Sequence, residues 1–410
     1  MRSFEDAKHY ATGAALLSII FSLSFAQAIY GTESLEKNTG ALSQSKDLSD
    51  FVVEDMPELT QRFRSDKVWN GGDGAITLTL APGKILWLFG DSFIKKGRMK
   101  DRTMINNSVA VQNTEKRHED WHFYFRGSPE DPKSIFIPNE KKHFYWPGCG
   151  TIYNGRLYLL LKNISLSNEL PAPFNFSWKS TDLVVVDNPL DVPSAWRYSK
   201  RLLPNCGGNI DWAIATHADA KHLYVFCLGK TVSKSVGEKP VKLARILLTD
   251  LQNGKYAKWE FAADKHAVGG SPGSWSQDYT LAKSIMPVGG PEMSVFYSPK
   301  NKCYVSLFQE PMSEFVSLAV ARNIDDTWTK PRHVYRVSET KITINGKKAL
   351  AYAGKAHPVL SDSDGIVFTY CVNPGGEAEH LKRPDLYFPV ARKLILRSKT
   401  VARMLESAGK

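Results

Sequence analysis

Strand-like runs come in pairs along most of this chain. Over residues 69–93, "WNGGDGAITLTLAPGKILWLFGDSF", apolar and polar positions alternate, the chain reverses at Ala81-Pro82-Gly83-Lys84, and a more apolar run follows. Pro-Gly between two such runs predicts a tight β-hairpin. The plan returns in "GCGTIYNGRLYLLL" (148–161), "DWAIATHADAKHLYVFCLG" (211–229), "EMSVFYSPKNKCYVSLFQE" (292–310) and "AHPVLSDSDGIVFTYCVN" (356–373). The aromatics at the centres of the second strands, Trp87, Tyr158, Tyr224, Tyr304 and Phe368, recur at intervals of roughly 70 residues, longer than a WD-type blade and long enough for two further strands per unit. Candidates for those outer strands are "DLVVVD" (182–187), "VKLARILL" (241–248), "EFVSLAVAR" (314–322) and "LYFPVARKLIL" (386–396).

Five such units predict an all-β fold, a five-bladed β-propeller whose four-stranded antiparallel blades surround a central channel over residues 61–397. Two stacked sandwiches would use the same strands but would not explain their regular return. Residues 29–60 are polar and mixed and read as a flexible leader, and residues 398–410 as a C-terminal tail. Residues 11–28, "ATGAALLSIIFSLSFAQA", are uncharged and mostly apolar and end in the small-x-small pattern Ala26-Gln27-Ala28, so 1–28 is expected to be a signal peptide, or an uncleaved anchor. A secreted or periplasmic location follows from either, with no membrane span in the mature chain unless the segment is retained.

In a propeller the innermost strand of each blade lines the channel. Equivalent entry positions, counted back from each turn, hold Asp73, Cys149, Asp211, Glu292 and His357. Three are acidic and one is an imidazole. Centring the first turn at Pro82 sets Asp73 opposite Asp91, with a diagonal pairing if the centre lies half a residue later. Direct cross-strand partners have Cβ atoms about 4.5–5.5 Å apart, and like charges there destabilise the sheet unless one holds a proton, binds a cation or faces water. Carboxyls sharing a site split their proton affinities, which supplies the acid and the nucleophile or base that glycoside hydrolysis requires. A separation near 5 Å favours retention of anomeric configuration. The plainer reading is that each aspartate caps a turn in its Gly-Asp-Gly or Gly-Asp-Ser setting.

Trp69, Trp146 and Trp212 lie within four residues of channel entries, and Trp275 sits in "VGGSPGSWSQDY" (268–279). Aromatic faces near carboxylates suit the apolar faces of sugar rings, although a buried tryptophan is more often core. Asn106, Asn107 and Ser108 open the next strand and could hold hydroxyls or simply form a turn. Asp73 and Asp91 are therefore the catalytic candidates, with Trp69, Asn107, Trp146, Asp211, Trp212, Glu292 and His357 as substrate contacts. Asp211 and Glu292 are rival catalytic acids, and His357 reads equally as a hydrogen-bonded structural histidine.

Of the 410 residues 42% are hydrophobic, enough for a large core, and the formal charge is +11. Losing residues 1–28 removes Arg2 and Lys8 with Glu5 and Asp6, so the mature chain keeps that charge. The balance suits an anionic neighbourhood such as a cell envelope, but no basic block accompanies a nucleic-acid motif, and a solvated basic surface is the plainer and preferred reading. Five cysteines far apart, with no CxxC pair, argue against a metal cluster or a disulfide scaffold. No loop has the regular acidic spacing of a Ca²⁺ site and no Gly-rich phosphate loop is present, so neither metal nor cofactor is expected. A monomer acting on a polysaccharide is.

"WNGGDGA…LWLFGDSF…MINNSVAVQ", "KAHPVLSDSDGIVFTYCVN" and "DLYFPVARKLIL" together resemble a family long catalogued as a domain of unknown function, some of whose members are five-bladed propeller endo-D-arabinanases acting on mycobacterial cell-wall arabinan. The likeness spans roughly residues 60 to 397 and is most specific in the first hairpin. It implies that Asp73 in "GGDGA" and Asp91 in "FGDSF" are the catalytic carboxylates, and D-arabinan the first substrate to consider. Cys149 in "WPGCG" and the basic "DSFIKKGRMKDRTMINNS" depart from what a sugar site would carry. A non-catalytic carbohydrate-binding propeller is the alternative. A sialidase is not supported, because "SDSDGIVF" is the lone near-match to an Asp-box.

Overall fold

The structure is a computed structural model that describes residues 48–98, 100–115, 120–166, 176–204, 206, 210–229, 239–264, 274–311 and 313–407; the expected signal peptide lies outside them. Among the described residues the chain is mostly β and forms five antiparallel sheets of four or five strands, one after another. Their first strands are Ile76–Ala81, His143–Tyr153, Ile210–Ala218, Met293–Ser298 and Leu350–Ala356. The first four pair with the second strand of their own hairpin as the turns predict. In the fifth, Leu350–Ala356 comes before the expected hairpin, a 3-10 turn at Pro358–Leu360 stands where its first strand was expected, and His357 lies past the strand's end rather than at its entry. Asn154 and Gly155 both have positive φ (45° and 74°), the pair of conformations that a two-residue reversal between twisted strands needs.

Successive first strands touch one another, so the sheets stand around a common axis in a propeller-like arrangement. The cores lie between neighbouring sheets. Leu86 and Leu88 of the first meet Leu157, Leu159 and Leu161 of the second. The alternate residues of that second-sheet strand, Tyr158 and Leu160, point the other way and meet Val225 and Cys227 of the third. Side chains alternate across a strand, so one buried on both faces must be apolar at nearly every position. That is why the second strands of the hairpins read as unbroken apolar runs. Phe226 and Leu243 pack on Val295 and Phe308, and Val305 and Leu307 on Phe368 and Tyr370. Trp87 and Phe89 of the first sheet then meet Phe388, Val359 and Leu360 near the fifth.

Both chain ends carry structure where they are described. The leader is not without structure where it is described: Val52–Asp55 is a strand that pairs with Val390–Ile395 and forms the outer edge of the fifth sheet, and Pro57–Arg62 is helical. The tail is a helix, Ser398–Ser407, whose Val401 and Met404 are buried against the fourth and fifth sheets. The five cysteines are all unpaired and buried. Among the described residues no helix is long and apolar enough to cross a membrane.

Candidate active site

Ile76 pairs with Leu88 on one side of the aspartates and Gly72 with Ser92 on the other, so Asp73 and Asp91 fall at one level of the hairpin. The two backbones stay joined there: Asp73 N donates to Asp91 O at 3.2 Å and Gly90 N donates to Asp73 O at 2.9 Å. The chain turns sharply next to them, with positive φ at Gly74 and Ala75. The two side chains then enter different surroundings. Asp73 Oδ2 accepts hydroxyl bonds from Tyr352 (3.0 Å) and Tyr387 (2.9 Å), and the Tyr387 hydroxyl also lies 3.3 Å from Asp91 O. Asp73 Oδ1 fills the space a side chain on Gly90 would take, 2.3 Å from where its Cβ would stand. Asp91 Oδ1 accepts from Asn106 Nδ2 (3.1 Å) and from the indole N–H of Trp146 (2.9 Å).

An open cavity of about 730 Å³, counting its solvent-open mouth, lies among the first strands. Asp73, Trp146, Lys162, Glu292, Glu310 and Tyr352 are in its wall. Asp91 is not; it is completely buried and reaches the cavity through Trp146. Near Glu292 the Lys162 ammonium donates to Pro291 O (2.9 Å) and that of Lys355 lies 3.2 Å from Glu292 Oε1, so lysines from two other sheets hold the Glu292 segment. Glu310 takes the Ser317 hydroxyl on one oxygen and lies 3.1 Å from His333 Nε2 on the other. Among the described residues no group of three or more His, Cys, Asp or Glu side chains is placed to hold a metal ion.

The family described as Domain of unknown function (DUF5005) matches residues 57–391. The chain belongs to that family. Among solved structures, one described as a "putative hydrolase" from Bacteroides ovatus is 18% identical over 86% of this chain and 92% of its own, with a TM-score of 0.65, a likeness of fold. Weaker likenesses are to a GH43_1 enzyme from Xanthomonas citri (12% identical, 82% and 92% covered, TM-score 0.43) and to a Cellvibrio cellulosa alpha-L-arabinanase complexed with arabinohexaose (11%, 78% and 90%, TM-score 0.39). At those scores they decide nothing about this chain. No curated protein matches it.

Several residues of this DUF5005 protein that were expected to contact substrate lie outside the wall of this cavity. Trp69 is buried, stacks on Phe123 at 4.4 Å, and donates its N–H to Ser108 Oγ. Trp212 is buried edge-on against Trp259. Asn107 donates to Phe136 O and Tyr145 O and accepts from Phe136 N, tying two segments together with no face toward the cavity. His357 is completely buried between Thr77 Oγ1 (3.0 Å) and Thr369 Oγ1 (2.8 Å), and burial, with the positive charge of Lys355 added, lowers its imidazole to about 3. It is the hydrogen-bonded structural histidine. Asp211 pairs with Leu228 at the entry of the third sheet and is not in the cavity wall. Trp275 lies on the third sheet's outer edge beneath the Arg245 guanidinium, 3.9 Å away. Trp146 and Glu292 do face the cavity.

Sequence reasoning did not single out Tyr352, Tyr387, Lys162, Lys355 or Glu310. For Glu310 a signal was present. The fourth hairpin, "EMSVFYSPKNKCYVSLFQE", also carries a carboxylate at each open end, just as the first does.

Proposed function

We propose that this protein is an exported glycoside hydrolase built on a five-bladed propeller, cleaving furanoside linkages in a cell-wall polysaccharide, with D-arabinan the first substrate to try. The observation that carries the reading is that Asp73 and Glu292 line one open cavity beside the aromatic side chains of Trp146 and Tyr352. Glycoside hydrolysis needs a carboxylic acid to protonate the departing oxygen and a carboxylate to act as base or nucleophile on the other side of the sugar. Asp73 and Glu292 reach that cavity from the first and fourth hairpins, whereas the other carboxyl of the first hairpin, Asp91, is buried outside its wall. Asp73 is therefore the member of the first-hairpin pair that meets the substrate, and Glu292 is its partner in the cavity wall. The apolar run 11–28 with its Ala26-Gln27-Ala28 ending supports export.

A panel of cell-wall polysaccharides, D-arabinan first, incubated with the protein and with its Asp73→Asn and Glu292→Gln variants tests the reading. Each variant is expected to lose about a hundredfold or more in kcat, as removal of an acid or base does. Full activity in both ends the proposal. The second reading, a carbohydrate-binding propeller without catalysis, draws on the burial of Asp91, which leaves the first hairpin only one carboxyl at the cavity. Glycan binding with no product from any polysaccharide would select it.

A further inference from the structure

The side chain of Asp91 has no face on the cavity, yet it is bonded to one of the cavity's aromatic walls. Trp146 comes from the first strand of the second sheet and is 8% exposed, with its surface in the cavity wall. Its indole N–H is a donor with no acceptor capacity, so a buried ring can satisfy it only against a fixed acceptor. Asp91 Oδ1 is that acceptor, at 2.9 Å, and the amide of Asn106 donates to the same oxygen at 3.1 Å. The hairpin fixes Asp91 in turn, because Asp91 O accepts from Asp73 N. Phe144 meets the indole edge-on at 5.5 Å. The bond to Asp91 and the contact with Phe144 both help to set the plane of Trp146.

We propose that Asp91 is a positioning residue: its carboxyl orients the Trp146 indole as the platform on which a sugar ring of the substrate stacks, and it exchanges no proton with the substrate. The inference rests on the glycoside hydrolase reading for its kinetics, but the platform would serve a binding protein equally. It accounts for a carboxyl at the exit of the first hairpin without asking a fully buried group to reach the substrate.

Asparagine keeps an oxygen that can accept from the indole and alanine does not, so the two substitutions part a positioning role from a catalytic one. Asp91→Asn is expected within about fivefold of the parent kcat. Asp91→Ala should raise KM about tenfold with a much smaller change in kcat, the size of a lost stacking contact. Trp146→Phe, which leaves Asp91 in place, should raise KM by a similar factor, and the Asp91→Ala/Trp146→Phe double variant should be no worse than either single. A hundredfold fall in kcat in Asp91→Asn, an unchanged KM in Trp146→Phe, or additive effects in the double variant would each overturn the proposal. If no polysaccharide is cleaved, the hydrolase reading alone fails, and the same variants are read by their Kd for a bound glycan with the same expected pattern.

Discussion

The ammonium of Lys355 stands 3.2 Å from Glu292 Oε1, and the two partners are not equally buried: the lysine side chain is 4% exposed and the glutamate 26%. Removing the glutamate strands a buried cation, whereas removing the lysine leaves a carboxylate that water can reach. Breaking a buried pair from one side costs about 3–5 kcal/mol. Glu292→Ala is therefore expected to lose about 3 kcal/mol in urea unfolding, and Lys355→Met close to nothing, while Lys355→Met still lowers kcat because Glu292 loses its anchor. Equal losses of stability in the two variants would refute this asymmetry.

Two tyrosine hydroxyls converge on Asp73 Oδ2 from residues far along the chain. A hydrogen bond to a charged group contributes about 1.5–3 kcal/mol. Tyr352→Phe and Tyr387→Phe should each destabilise the fold by about that much and reduce kcat, with the double variant approaching the activity of Asp73→Asn. Wild-type kcat in the double variant would show that the tyrosines do not position Asp73.

Gly90 is glycine because Asp73 occupies its side-chain space. The added methyl of Gly90→Ala would stand 2.3 Å from Asp73 Oδ1, and among the described residues, its own chain neighbours aside, the Asp73 carboxyl is what lies within 4 Å of it. The variant should fold yet lose most of its activity, since the carboxyl must leave its tyrosines. In an Asp73→Ala background the same methyl should cost less than about 0.5 kcal/mol, a non-additivity that thermal unfolding reads directly. A substantial loss in that background would place the clash elsewhere.

Two buried histidines make stability depend on pH. His357 and His380 are each lowered to about 3, chiefly by burial, against about 6.5 in an unfolded chain. Their contribution is complete above about pH 6.5 and is lost as pH falls from there toward about 3, because the unfolded chain takes up protons that the fold refuses. Each histidine gives a slope of about 1.4 kcal/mol per pH unit in that window. His357→Gln, which can still bond Thr77 and Thr369, should reduce the slope in stability taken from urea unfolding between about pH 6.5 and 4.5 by about 1.4 kcal/mol per pH unit. A slope equal to that of the parent would mean that His357 does not carry this linkage.

What the sequence disclosed and what it hid follow from the range of the interactions. The first hairpin was legible because its register is local: Pro82-Gly83 fixes the turn, and the alternation carries the pairing out to Gly72 and Ser92. The roles of Trp69 and Trp212 were not, because a tryptophan beside a glycine looks the same whether it faces a sugar or Phe123. The tyrosines on Asp73 were invisible for a related reason. Residues 352 and 387 reach it only once the fifth sheet lies beside the first, and no short pattern encodes that. Val52–Asp55 escaped notice likewise, a four-residue strand whose partner is at the other end of the chain.

That strand has a consequence for how the molecule is made. Val52 leaves the ribosome long before Ile395, the residue it faces, so the clasp between them can fasten only after synthesis is nearly done. Until then Val390–Ile395 has no neighbour on its outer side, and an unfastened edge invites pairing with other chains. Trimming the protein back to Met56 would leave that edge open for good. Such a version should be cut first by proteases near the fifth sheet and should clump on concentration, while the intact chain stays dispersed.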